Sequence, residues 1–114
     1  MSAITTHILD TAAGRPASGV AVNLDILRGV DDWLPVGRGE TDADGRLRTL
    51  MPAGAPLESA TYRLVFQTRA YFQRFGTDTF YPHVTVVFDV GSAESHYHVP
   101  LLLSPFGYST YRGS

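Results

Sequence analysis

Val20-Ala21-Val22-Asn23-Leu24-Asp25-Ile26-Leu27 decides the fold: Val20, Val22, Leu24 and Ile26 fall on one face, and Ala21, Asn23 and Asp25 on the other. Side chains of an extended strand alternate between faces, so this period of two reads as a strand with one side in a core. His83–Val90 repeats the pattern, with Val84, Val86, Phe88 and Val90 facing one way. Tyr62–Thr68 and Tyr97–Leu103 are strand candidates rich in aromatic and branched residues. Ile4–Leu9, Trp33–Gly37 and Ser109–Gly113 are shorter ones. Turn chemistry separates them at Ala13-Gly14-Arg15-Pro16, Asp42-Ala43-Asp44-Gly45, Pro52–Pro56 and Gly91-Ser92. A helix is predicted over Thr68–Phe75, where Tyr71, Phe72 and Phe75 cluster before Gly76 supplies a stop. Several short strands and one short helix make an all-β sandwich. Pro100 falls inside a strand, where it has no N–H for the ladder, and is expected at an edge or a bulge.

The chain has 114 residues, the size of a single domain spanning 1–114. Hydrophobic residues make up 44% and charged residues 18%, the balance of a chain that can build a core. A net charge of −2 gives no electrostatic reason to expect nucleic acid or an acidic membrane as partner. All nine basic residues are arginine, which excludes lysine Schiff-base chemistry and the phosphate-loop lysine. With no cysteine, thiol nucleophiles, disulfides and thiolate metal centres are excluded too. The opening residues carry no basic and apolar leader, and no apolar run is long enough to span a bilayer, so a cytoplasmic protein is expected.

Four histidines remain as candidates for proton transfer near neutral pH. His96 and His98, two apart, share a face of a strand, and His7 lies on a separate one. Such a set could hold a metal with His83, or could consist of solvated or hydrogen-bonded side chains; no carboxylate stands at a ligand-like spacing beside them. Asp42-Ala43-Asp44-Gly45-Arg46 opens like a calcium loop, but Met51 occupies the position that needs an acid, so a tight turn is the better reading. That turn would project Arg46 and Arg48 from a fixed base, where a guanidinium can clamp a planar, oxygen-rich ligand. The end, Ser104–Ser114, carries aromatics, hydroxyls and an arginine, either as a docked strand or as the lining of a pocket. No serine-hydrolase elbow is present.

Ile4-Thr5-Thr6-His7, Thr41-Asp42-Ala43-Asp44-Gly45-Arg46, and the run from His96-Tyr97-His98-Val99-Pro100 to Tyr111-Arg112-Gly113-Ser114 resemble the transthyretin-related 5-hydroxyisourate hydrolases. The likeness extends from Ile4 to the last residue, and Tyr111–Ser114 is its most specific part. It implies a transthyretin-like sandwich of two four-stranded sheets, assembled as a homotetramer with its sites in the channel between dimers. It further implies hydrolysis of 5-hydroxyisourate, in urate breakdown, with no metal and no organic cofactor. By the same resemblance His7, Arg46 and His98 are catalytic, and Tyr111, Arg112, Gly113 and Ser114 bind substrate. His96, His83 and Arg48 acquire no role from it. The competing expectations are a non-enzymatic carrier of a hydrophobic ligand in the same channel, and a monomeric sandwich that only mediates contacts.

Overall fold

The computed structural model describes residues 2–114. Nine strands run in chain order as β1 (Ile4–Asp10), β2 (Arg15–Pro16), β3 (Ala21–Arg28), β4 (Asp32–Glu40), β5 (Arg46–Leu47), β6 (Ala60–Phe66), β7 (Val84–Val90), β8 (Tyr97–Ser104) and β9 (Gly107–Thr110). One helix, α1 (Thr68–Gln73), follows β6. The strands form two sheets. One has the order β4-β3-β6-β7 and is antiparallel throughout. The other has the order β2-β1-β8-β9, with β5 also paired to β1.

The alternating faces fall where the sequence puts them. Val22, Leu24 and Ile26 of β3 and Tyr62, Leu64 and Phe66 of β6 point inward and are buried. They meet Ile4 and Ile8 of β1 and Val99, Leu101 and Leu103 of β8 in one continuous core. Stacking two half-apolar sheets is the way each hides its hydrophobic face. In α1, Tyr71 and Phe72 close one end of this core, and Tyr71 Oη donates to the buried Asp10 carboxylate at 2.8 Å. The helix stops at Gln73, earlier than Phe75, which is 48% exposed and carries Arg15 and Arg74 over its ring.

Three details differ from the sequence reading. The second sheet has five strands instead of four, because the turn residues Arg46–Leu47 pair with β1 opposite Thr6 and His7. β1 gives one whole edge to β8, in parallel, and shares its other edge between β2 and β5. The last strand is Gly107–Thr110 instead of Ser109–Gly113. Pro100 lies in β8, an internal strand, and not at an edge or a bulge. Pairing with β9 ends at Leu101–Thr110 and returns in unchanged register as a single bridge between His98 and Gly113. Pro100, with no N–H to offer, occupies the gap, and its carbonyl accepts from Thr110 Oγ1 at 2.7 Å. Among the described residues, no helix is long and apolar enough to cross a membrane.

Candidate active site

With Ile4, Thr6 and Ile8 turned into the core, strand alternation turns Thr5 and His7 of β1 to the outer face of the five-stranded sheet. The same rule turns His98 and Pro100 of β8 outward, and parallel register sets Thr5 beside His98 and His7 beside Pro100. On the other edge of β1, Arg46 is the pairing partner of His7. Three residues from three remote stretches thus share one face through backbone pairing alone.

Arg46 reaches that place because the Asp42–Gly45 turn is tightly built. The Asp42 carboxylate accepts from the Asp44 N–H at 2.9 Å and the Arg46 N–H at 3.0 Å. The Arg46 N–H above all holds the Asp42 carboxyl below its ordinary pKa, with Asp44 and the charges of Arg48 and Arg46 adding to it. Gly45 takes φ of 74°, and its carbonyl accepts from the Ile8 N–H at 2.8 Å, which docks the turn on β1. His7 Nε2–H donates to the Asp44 carbonyl at 2.9 Å. That bond orients the ring and leaves Nδ1 as the acceptor of the neutral imidazole.

His98 sits deeper. Burial pushes its imidazole below the ordinary histidine value, and the charges of Arg46, His7 and His96 push it the same way. The neutral form therefore prevails at neutral pH, as a proton acceptor requires. Its Nδ1 lies 2.8 Å from Thr5 Oγ1, so Nε2 is on the open side of the ring. The Gly113 N–H donates to the His98 carbonyl at 2.8 Å. A Cβ at Gly113 would stand 2.7 Å from His98 Cδ2, so only glycine lets the chain lie flat on this ring.

A cavity of about 130 Å³ opens here, lined by Arg46, Arg48, His96, His98, Ser114 and the Thr5–Thr6 segment. Its walls are cationic and rich in hydrogen-bond donors, suited to a planar ligand bearing carbonyl oxygens. Of the residues singled out in the sequence, His7, Arg46, His98, Gly113 and Ser114 come together on this face. Tyr111 and Arg112 do not. They line a separate cleft against β7, with the Arg112 guanidinium 4.5 Å from the centre of the Tyr97 ring. His83 is exposed, outside the cavity. His96 and Arg48, given no role by the family resemblance, are part of the wall, and so is Thr5, to which the sequence reading assigns no role. Its signal was its place two residues before His7, on the same face of the strand. Among the described residues, no group of three or more histidine and acidic side chains is placed to hold a metal ion.

Residues 4–113 match the model of the HIUase/transthyretin family. The 5-hydroxyisourate hydrolase of Salmonella typhimurium is 46% identical, over 97% of this chain and 80% of its own. That of Mus musculus is 42% identical, over 99% and 96%. The solved structure of Klebsiella pneumoniae 5-hydroxyisourate hydrolase superposes with a TM-score of 0.83 at 37% identity, covering 97% of this chain and 98% of its own. Sea bream transthyretin in complex with thyroxine gives 0.88 at 34% identity, covering 98% and 95%. Backbone likeness alone thus does not separate the hydrolase from the transthyretin in complex with thyroxine, and the chain belongs to the HIUase/transthyretin family.

Proposed function

We propose that this protein hydrolyses 5-hydroxyisourate, opening its six-membered ring to 2-oxo-4-hydroxy-4-carboxy-5-ureidoimidazoline. The observation that carries the reading is the outward row of His7, Arg46 and His98, brought onto one face by strand pairing beside a cationic cavity. The names of the curated relatives at 42–46% identity support it.

In this reading His98 is the general base. Its neutral imidazole takes a proton from water at Nε2 as the oxygen attacks the ring carbonyl carbon. His7 accepts the second water O–H at Nδ1 and aims the nucleophile. The carbonyl oxygen gains negative charge as its carbon becomes tetrahedral, and the Arg46 guanidinium donates to it. Losing one such donor typically costs about 3–4 kcal/mol in the barrier. The tetrahedral carbon then expels the ring nitrogen, which recovers the proton from the His98 imidazolium. One C–O bond forms, one C–N bond breaks, and the base returns to its starting state. No residue of this chain changes oxidation state, and every proton moved has a named donor and acceptor.

A carrier of a hydrophobic ligand would need a mostly apolar wall. Arg46, Arg48, His96 and His98 supply the opposite. The cavity is also small. Pockets that enclose a small molecule usually reach about 300 Å³ or more, so we infer that a further copy of the chain roofs it. A homotetramer with its sites between subunits supplies that roof, and Tyr111 and Arg112 are then free to act across the boundary.

The experiment is to generate 5-hydroxyisourate from urate with urate oxidase and follow the decay of its ultraviolet absorbance. Added protein should accelerate the decay, and His98→Asn and Arg46→Lys should abolish most of the acceleration. Unchanged decay, or full activity in both variants, would overturn the reading.

A further inference from the structure

Thr5 is only 4% exposed, although it belongs to the outward-facing row. Its hydroxyl oxygen stands 2.8 Å from His98 Nδ1 and 3.1 Å from His96 Nε2. The two imidazoles lie nearly parallel, with an interplanar angle of 15° and centroids 6.5 Å apart, and the hydroxyl bridges Nε2 of one and Nδ1 of the other.

A hydroxyl owns one proton and two lone pairs. It can donate to one of these nitrogens and accept from the other, but it cannot donate to both. Consequently at least one ring must present an N–H towards Thr5, and the two tautomers are linked. With the Thr5 O–H turned to His96 Nε2, the oxygen accepts from His98 Nδ1–H, and His98 Nε2 carries a bare lone pair. With the O–H turned to His98 Nδ1, the neutral His98 ring must hold its proton on Nε2. In the second arrangement it cannot take a proton from water.

We infer that Thr5 is a positioning residue for His98: its hydroxyl, drawn towards His96, fixes the tautomer in which His98 Nε2 is free to accept a proton. The inference rests on the reading of His98 as the base and extends it to two side chains that have no step of their own in the proposed chemistry. His96 is the acceptor that decides which way the Thr5 proton points. The outer partner of a histidine sets which ring nitrogen is protonated, and at metal-bound histidines its removal typically costs about 10–100-fold.

The first measurement is nitrogen-15 NMR of the histidine rings in the native protein at neutral pH. His98 should show a protonated Nδ1 and an unprotonated Nε2; the reverse pattern overturns the inference without any reference to activity. The second compares variants. Thr5→Val, close in shape but lacking the hydroxyl, should lower kcat about tenfold or more with a much smaller change in KM. Thr5→Ser should recover most of that loss. His96→Ala should also lower kcat and mix the His98 tautomers, whereas His96→Gln, which keeps an acceptor, should recover both. Thr5→Val or His96→Ala with native kcat and native His98 shifts would overturn the inference while leaving the hydrolase reading intact. Inactive native protein, or a fully active His98→Asn, would instead overturn the reading on which it rests.

Discussion

Gly113 and His98 show how much a single hydrogen atom decides at the site. A methyl group at position 113 would press on His98 Cδ2 at 2.7 Å and on Pro100 Cγ at 3.1 Å, and Pro100 is held in a strand. The imidazole must yield. Gly113→Ala should therefore lower kcat by about 100-fold, the usual consequence of a misplacement near 1 Å, while circular dichroism stays native. The charge on His98 gives a second expectation. In the proposed mechanism the unprotonated ring is the working form, and burial together with Arg46 holds its pKa below the ordinary value. Activity should thus be flat through neutral pH and fall on the acid side, with a midpoint below that of a free histidine. In Arg46→Gln one opposing charge is gone, so the acid limb of the residual rate should move to higher pH. Residue types alone limited the chemistry to histidine, arginine, carboxylates and hydroxyls. They did not reveal Thr5, because its importance depends on the two rings that flank it, and those are more than ninety residues away.

At the scale of elements, the turn before β5 does the most for the site. Its glycine has φ of 74°, and a Cβ there would come within 2.5 Å of the Ile8 carbonyl. Gly45→Ala combines backbone strain with a collision against β1. It should cost about 1–3 kcal/mol, read as a lower midpoint in thermal unfolding, with a disproportionate loss of kcat because Arg46 shifts with the turn. The sequence announced this turn through Asp-Ala-Asp-Gly, β3 and β7 through their alternation, and β6 and β8 through their aromatic and branched residues. What it did not announce was the two-residue β5. So short a strand has no periodicity of its own and exists only because β1 offers an open edge. Pro100 misled for a related reason. The rule that proline avoids internal strands concerns its missing donor, and here the ladder has a gap at that one position.

For the whole molecule, the sandwich class was legible because two-fold periodicity recurs in strand after strand. The pairing of β1 with β8 was not, since local patterns carry no information about which remote strand is adjacent. Assembly gives the expectation proper to this scale. If a further copy roofs the cavity, specific activity should fall on dilution in step with the loss of a four-chain species in analytical ultracentrifugation. A monomer with full specific activity would exclude the shared site. Phe80 and Phe106, 70% and 69% exposed in the single chain, are apolar surfaces that such an assembly can cover.

The parallel pairing of residues 4–10 with 97–103 also constrains how the protein is born. A ribosome releases β1 first, and its partner emerges only after nearly all the rest has been made. Throughout that interval β1 can reach β2 and β5 along one side, while the other side stays unsatisfied and able to seize a stray strand. The polar Thr5, Thr6 and His7 at its centre make that exposed edge less adhesive than an unbroken aliphatic run would be. The same polar side chains, two of which the proposed chemistry uses, would then already be useful as guardians against aggregation while translation is still under way.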